Sequence, residues 1–251
     1  MPEPIYKIRG LCKRYGQRPV LADLDFDVFR GESLVVLGRS GSGKSVTLRQ
    51  LNGLEKPDRG SVEFDGEEIS HLRERDLYPL RKRVAMLFQG GALFDSMTVA
   101  ENVAFPLIEH TDLKDTEIAD TVRNKLEMVR LKGIEDKLPA DLSGGMKKRV
   151  ALARSMALDP EVVLFDEPTT GLDPMTSATI AHLMRSTQRD LHATSVVVTH
   201  DIALARLVGD RVAFLTEGRF SFLGTWEEAD RSPDPLLANF LAGREEDENA
   251  A

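Results

Sequence analysis

A chain of 251 residues that is 41% hydrophobic and 29% charged has ordinary globular make-up, which excludes wholesale disorder, a collagen-like repeat and a disulfide scaffold. Acidic residues outnumber basic ones, 41 to 33, for a formal net charge of −8. A protein gripping many nucleic-acid phosphates carries a basic excess, so nucleic acid is not an expected partner.

The first fourteen residues hold no apolar core of the kind a secretory signal needs. A lone Cys12 allows no disulfide within the chain and suits a reducing compartment. No apolar run approaches the roughly 18 residues that a membrane-spanning helix requires. Leu24 to Val28 alternates apolar and polar and predicts a half-exposed strand. Leu34 to Leu37 is continuously apolar and predicts a strand buried on both faces. It leads into a glycine-rich turn and a helix from about Lys44 to Asn52. Ser61 to Phe64 reads as a strand closed by the turn Asp65-Gly66, and Val84 to Phe88 as a further buried strand.

From about Val99 to Leu158 the pattern turns helical, with Ile118, Val122, Leu126 and Val129 on one face. Buried strands return at Val162 to Phe165 and Ser195 to Thr199, and Val212 to Leu223 reads as a hairpin turning at Thr216 to Arg219. Gly243 to Ala251 reads as a frayed acidic tail. No internal repeat is visible. The expected architecture is an α/β core interrupted by a helical insert of roughly 60–70 residues.

Gly38-Arg39-Ser40-Gly41-Ser42-Gly43-Lys44-Ser45 fits G-x-x-x-x-G-K-[ST]. Glycines let backbone N–H groups turn toward phosphate oxygens, and a helix N-terminus faces the same anion. Lys44 would reach the β- and γ-phosphates, and the Ser45 hydroxyl could ligate Mg²⁺. A nucleotide site also needs a second metal-holding group and a group to orient water. The strand Val162 to Phe165 delivers Asp166 for the metal and Glu167 to accept the water's proton. His200 follows another buried strand and could hydrogen-bond the γ-phosphate; His71, His110, His182 and His192 read as surface histidines.

Leu142-Ser143-Gly144-Gly145-Met146 opens a helix rich in Lys147, Lys148, Arg149 and Arg154. With the phosphate loop before it and Asp166-Glu167 after it, the chain resembles the nucleotide-binding subunit of an ATP-binding cassette (ABC) transporter over about residues 5–224. The resemblance implies a P-loop ATPase core with an antiparallel β subdomain and an inserted α-helical subdomain. It puts the catalytic core at 1–89 and 161–224, the helical signature subdomain at 90–160, and a C-terminal helix with the acidic tail at 225–251. It implies Tyr15 stacking on adenine, Gly38 to Val46 cradling phosphate, and Gln89 both ligating Mg²⁺ and sensing a membrane partner. It implies Ser143, Gly144 and Gly145 covering the γ-phosphate of ATP held by a second copy, with Asp173 in the D-loop. Catalysis would rest on Glu167, His200, Lys44 and Gln89, with Ser45, Gln89 and Asp166 holding Mg²⁺. Two copies would sandwich two ATP molecules. Met146 departs from the usual glutamine and cannot make its hydrogen bonds.

Within the family, Gln89 to Val99, Glu101 to Leu107, Glu109 to Thr111 and Ser232 to Pro235 are similar to the MlaF-type (toluene-tolerance, Mkl) group. That similarity implies phospholipid transport between inner membrane and periplasm, from the cytoplasmic face. The implied partners are a MlaE-type permease, a MlaD-type MCE-domain protein and a MlaB-type STAS-domain subunit. The alternative is the ATPase of another importer or of a cell-division-type membrane complex. Leu93 and Phe94 suit either a permease contact or burial in the subdomain.

Overall fold

Residues 3–244 are described by the computed structural model. They fall into two units, one running up to Leu72 and resuming at Val196, the other spanning Arg73–Ser195.

The first unit begins with two long strands, β1 (Pro4–Tyr15) and β2 (Arg18–Phe29), paired antiparallel with Tyr6 opposite Val28 and Ile8 opposite Phe26. The first of these strands was not marked by a clean alternation in sequence. Its pairing slips at several points, so inward side chains such as Ile5, Tyr6, Ile8 and Leu11 do not keep a period of two. Next come β3 (Ser33–Leu37), buried along its whole length as expected, and helix α1 (Lys44–Leu51). Strands β4 (Arg59–Phe64) and β5 (Glu67–Glu68) complete an antiparallel sheet in the order β2-β1-β4-β5.

The second unit carries α2 (Tyr78–Arg83) and β6 (Val84–Leu87), then α3 (Val99–His110), α4 (Asp115–Met128) and α5 (Gly144–Ser155). The continuous helical pattern is thus divided into three helices. Arg130 and Gly133 both adopt positive φ after α4, which no helix continues through. Val122, Leu126 and Val129 are buried as the periodicity requires. Strand β7 (Val162–Asp166) pairs parallel with β6, and the 18-residue α6 (Pro174–Leu191) follows. Asp173 caps α6 by accepting from the amides of Met175 (3.1 Å) and Thr176 (3.0 Å), and Pro174 occupies its first turn.

Strand β8 (Thr194–Thr199) leads the chain back into the first unit. There α7 (Ile202–Val208), β9 (Arg211–Thr216), β10 (Arg219–Thr225), α8 (Trp226–Asp230) and α9 (Pro235–Leu241) complete the fold. Strand β3 lies between β8 and β9, and runs parallel to β9, with Leu34 opposite Arg211 and Leu37 opposite Phe214. The hairpin of β9 and β10 falls where the sequence places it. The fold is α/β, with one antiparallel sheet and a parallel core. The acidic tail from residue 245 onward lies outside the described residues.

Candidate nucleotide site

The phosphate loop sits in the first unit, between buried β3 and α1. Its shape depends on glycine. Gly43 caps the helix at φ 109° and Gly41 has φ +79°, conformations that side chains disfavour. A Cβ on Gly38 would lie 2.4 Å from the Leu215 carbonyl oxygen and 2.7 Å from Ser42 Oγ. No side chain caps the N-terminus of α1, and the positive end of a helix favours an anion. Ser42 Oγ is buried without a hydrogen-bond partner. Lys44 is buried, and its ammonium donates to the carbonyls of Gly38 (2.8 Å) and Arg39 (3.1 Å). Arg39, Ser40 and Gly41 are exposed, Ser45 is half-buried and Val46 is buried. A loop of inward-turned backbone with one flexible cation at its centre is a receptor for a polyphosphate.

Tyr15 lies in the same unit and is 47% exposed, with the Lys13 ammonium 5.8 Å from its ring centre; an exposed aromatic is open to stacking. Its hydroxyl donates to Glu55 Oε2, and Glu55 pairs with Arg49 of α1 at 2.6 Å. Partial burial, then the bond to Glu55, raise the phenol above its ordinary pKa. The tyrosine is therefore tied to the helix that begins at Lys44. His200 is exposed just past β8, and Asp201 beside it caps α7 by accepting from Leu204 N at 3.1 Å.

The remaining candidates belong to the second unit. Asp166 closes β7 at 7% exposure and Glu167 follows at 8%. Two adjacent buried carboxylates are costly to keep charged unless they serve a charged ligand or pair with donors. Glu167 also holds a left-handed backbone, φ 46°. That conformation is uncommon for a side-chain-bearing residue and concentrates at functional sites. Thr170 Oγ1 donates to Glu167 Oε2 at 3.4 Å.

Ser143 caps α5 by accepting from Met146 N at 3.3 Å. This bond uses the backbone of Met146, so the methionine side chain leaves the cap intact. Ser143 and Gly144 are exposed, and Gly145 is half-buried. A Cβ on Gly145 would lie 2.6 Å from Thr176 Cγ2, and Thr176 Oγ1 donates to Asp173 Oδ2 at 2.6 Å. The signature glycines therefore rest on the start of α6. The Thr176 hydroxyl, then its amide, hold the Asp173 carboxyl below its usual range.

Gln89 is exposed, and its carbonyl accepts from the Lys148 ammonium. Asn102, fully buried, accepts from Phe94 N (2.8 Å) and donates to the carbonyls of Phe94 (3.1 Å), Met97 and Thr98 (both 3.0 Å). It fixes the segment after Gln89. Phe94 is exposed but packs on Phe105, with ring centroids 4.9 Å apart.

The structure thus gathers the candidates into two sets, Tyr15, Gly38 to Val46 and His200 in one unit, Gln89, Ser143 to Gly145, Asp166, Glu167 and Asp173 in the other. It adds Glu55, Arg49, Lys148, Thr176 and Asn102, whose parts were not read from sequence. Lys148 stood out there only as one of four cations on a helix. Glu55 gave no signal at all.

Among the described residues no group of three or more His, Cys, Asp or Glu could hold a metal. The hydroxyl of Ser45, the amide of Gln89 and the carboxylate of Asp166 are hard oxygen donors. Each is a donor of the class Mg²⁺ takes, an ion that uses one or two carboxylates and keeps several waters.

The ABC transporter family model matches residues 21–170. The chain is 42% identical over 238 residues to the probable ribonucleotide transport ATP-binding protein mkl of Mycobacterium leprae, covering 95% of this chain and 69% of that one. It is 40% identical over 236 residues to the intermembrane phospholipid transport system ATP-binding protein MlaF of Escherichia coli K12, covering 94% and 88%. Among solved structures, an ATP-binding cassette caught as a dimer after hydrolysis, with ADP and Pi bound, superposes with a TM-score of 0.81 at 32% identity, covering 88% of this chain and 98% of that one.

Proposed function

This chain belongs to the ABC transporter family, and on that basis we propose that it powers a phospholipid transporter as the ATPase subunit of a membrane complex. It is an ABC ATPase and binds ATP. The observation that carries the lipid reading is the 40% identity to MlaF over 94% of the chain.

In this reading Tyr15 stacks on adenine and Gly38 to Val46 wrap the phosphates. Lys44 neutralises the β- and γ-phosphates. Ser45, Gln89 and Asp166 hold Mg²⁺, which when bound offsets phosphate charge as the γ-phosphoryl departs. Glu167 orients the attacking water and takes its proton. His200 hydrogen-bonds the γ-phosphate. Ser143 and Gly145 of a second copy cover that same phosphate, with Gly144 allowing the approach and Asp173 bracing the loop. Two copies close on two ATP molecules, and hydrolysis lets them part.

The chain sits on the cytoplasmic face of the bacterial inner membrane through its partners. Among its described residues no helix is long and apolar enough to cross a membrane. Those partners are a MlaE-type permease, a MlaD-type MCE-domain protein and a MlaB-type STAS-domain subunit. The catalytic core occupies 1–89 and 161–224, the helical subdomain 90–160, and 225–251 a C-terminal appendage. A second reading, export or import of ribonucleotides, is favoured by the name of the mkl relative at 42% identity.

The Glu167→Gln variant tests the reading. It keeps the shape of the side chain and removes the base. We expect it to bind Mg-ATP, lose hydrolysis by about 10³-fold and accumulate as an ATP-bound dimer with phospholipid in the co-purified membrane complex. A monomer at saturating ATP with its membrane partners present refutes the sandwich. A complex that retains nucleotide solutes but no phospholipid favours the second reading.

A further inference from the structure

Lysine is seldom buried, because an ammonium taken out of water must find compensating partners. Lys148 is 8% exposed. It lies on α5, five residues after the cap Ser143. Its ammonium donates to the carbonyl oxygen of Gln89. Burial lowers its pKa, and the charge of Asp166 opposes that shift.

Two further contacts continue the line along α5. Ala151 lies against Gly91, where a Cβ on the glycine would come within 3.3 Å of the alanine Cβ. Arg154 donates to the Gly91 carbonyl at 2.9 Å and places its guanidinium 5.5 Å from the centre of the Phe94 ring. Positions 148, 151 and 154 recur every three residues and share one side of the helix. The backbone from Gln89 to Phe94 is therefore docked on the helix that Ser143 begins, and Asn102 of α3 holds its far end.

We propose that Lys148 is a positioning residue for Gln89, fixing the backbone from which its amide reaches Mg²⁺ and making the signature helix and that loop one mechanical piece. The proposal rests on the reading of Gln89 as a Mg²⁺ ligand. In this role the lysine works through Gln89 and not on nucleotide or metal directly. It acts by denying the Gln89 backbone its freedom, so a displacement of α5 becomes a displacement of the metal ligand.

The test uses the full chain with Mg-ATP. Lys148→Met removes the donor and keeps the aliphatic stem, and Lys148→Arg restores a cation. Arg149→Met serves as a control on the same helix, since Arg149 donates instead to the Arg130 carbonyl at 3.2 Å. For Lys148→Met we expect amide exchange of the peptide spanning Phe88 to Asp95 to rise about tenfold, kcat to fall about tenfold, and the Mg²⁺ needed for half-maximal rate to rise severalfold. ATP affinity should stay within about twofold, because the phosphate loop is untouched. Lys148→Arg should recover most of each change, and Arg149→Met should alter none of them. In a Gln89→Ala background Lys148→Met should lower kcat no further.

Unchanged exchange and Mg²⁺ dependence in Lys148→Met overturn the proposal, as does a kcat loss that multiplies in full with that of Gln89→Ala. If Lys148→Met does not fold, Lys148→Gln, whose shorter and uncharged amide reaches the Gln89 carbonyl less well, is compared instead, with smaller changes in the same direction expected and none overturning the proposal. If Gln89→Ala leaves Mg²⁺ dependence unchanged, the metal reading of Gln89 fails, and the exchange of Phe88 to Asp95 still decides whether Lys148 holds the loop.

Discussion

The phosphate loop and the loop carrying Gln89 are both irregular backbone, yet they are made rigid in opposite ways. Gly38 to Gly43 is held by its own conformation, with positive φ at Gly41 and Gly43 and no room for a Cβ at Gly38. Gln89 to Phe94 is held by others, through Lys148, Arg154 and Asn102. The first device needs glycine and therefore leaves a pattern in the sequence. The second needs cations and an amide from distant helices and leaves almost none. The first suits a site that must always be ready for phosphate. The second suits a loop that can be moved by moving its holders.

If the phosphate loop is self-supporting, a single methyl group should break it. Gly38→Ala places a Cβ 2.4 Å from the Leu215 carbonyl oxygen, a backbone atom that cannot rotate away. We expect it to destabilise the chain by about 3 kcal/mol and to weaken ATP binding by about two orders of magnitude. Urea unfolding and nucleotide titration read the two effects. ATP affinity within twofold of the parent would show that the loop does not need glycine at position 38.

This contrast explains what was legible beforehand. The strands β3, β7 and β9, the phosphate loop and the acid pair were readable because continuous apolar runs and glycine spacing are local signals. Strand β1 escaped because its bulges spoil the alternation. Helix α6 escaped because Thr176, Ser177 and Thr179 near its start are weak helix formers, and it is secured instead by the Asp173 cap and a buried face that includes Ile180, Leu183 and Met184. The parts played by Lys148, Thr176 and Glu55 are long-range pairings, and nothing in a single sequence fixes which residues meet across about thirty to sixty positions.

The signature glycines combine the two devices, and a double substitution separates them. Gly145 lies inside the first turn of α5, where alanine is the better helix former by about 1 kcal/mol. Against that gain, a Cβ there would lie 2.6 Å from Thr176 Cγ2. We expect Gly145→Ala to be destabilising by about 1 kcal/mol. In a Thr176→Ser background the methyl is gone while a hydroxyl remains to bond Asp173, and Gly145→Ala should become neutral or stabilising. ATPase activity should stay low in both backgrounds, because in the proposed sandwich the glycine also faces the phosphate of the second copy. A recovery of activity along with stability would assign Gly145 to packing alone.

The smallest effect is expected where neither device is strong. Tyr15 is 47% exposed, and its hydroxyl is tied through Glu55 to Arg49 of α1. Exposed hydrogen-bonded pairs of this kind contribute about 0.2–1 kcal/mol, which limits what their loss can do. Glu55→Ala should therefore raise the KM for ATP by about twofold to fivefold and leave kcat unchanged, while Tyr15→Ala, which removes the stacking surface, should raise it further. Equal effects from the two variants would mean that the tie to α1, rather than the ring, is what presents the base. No effect from Glu55→Ala would leave the tyrosine as a freely turning platform, a third kind of site element in which neither backbone nor neighbours set the geometry and the ligand itself does.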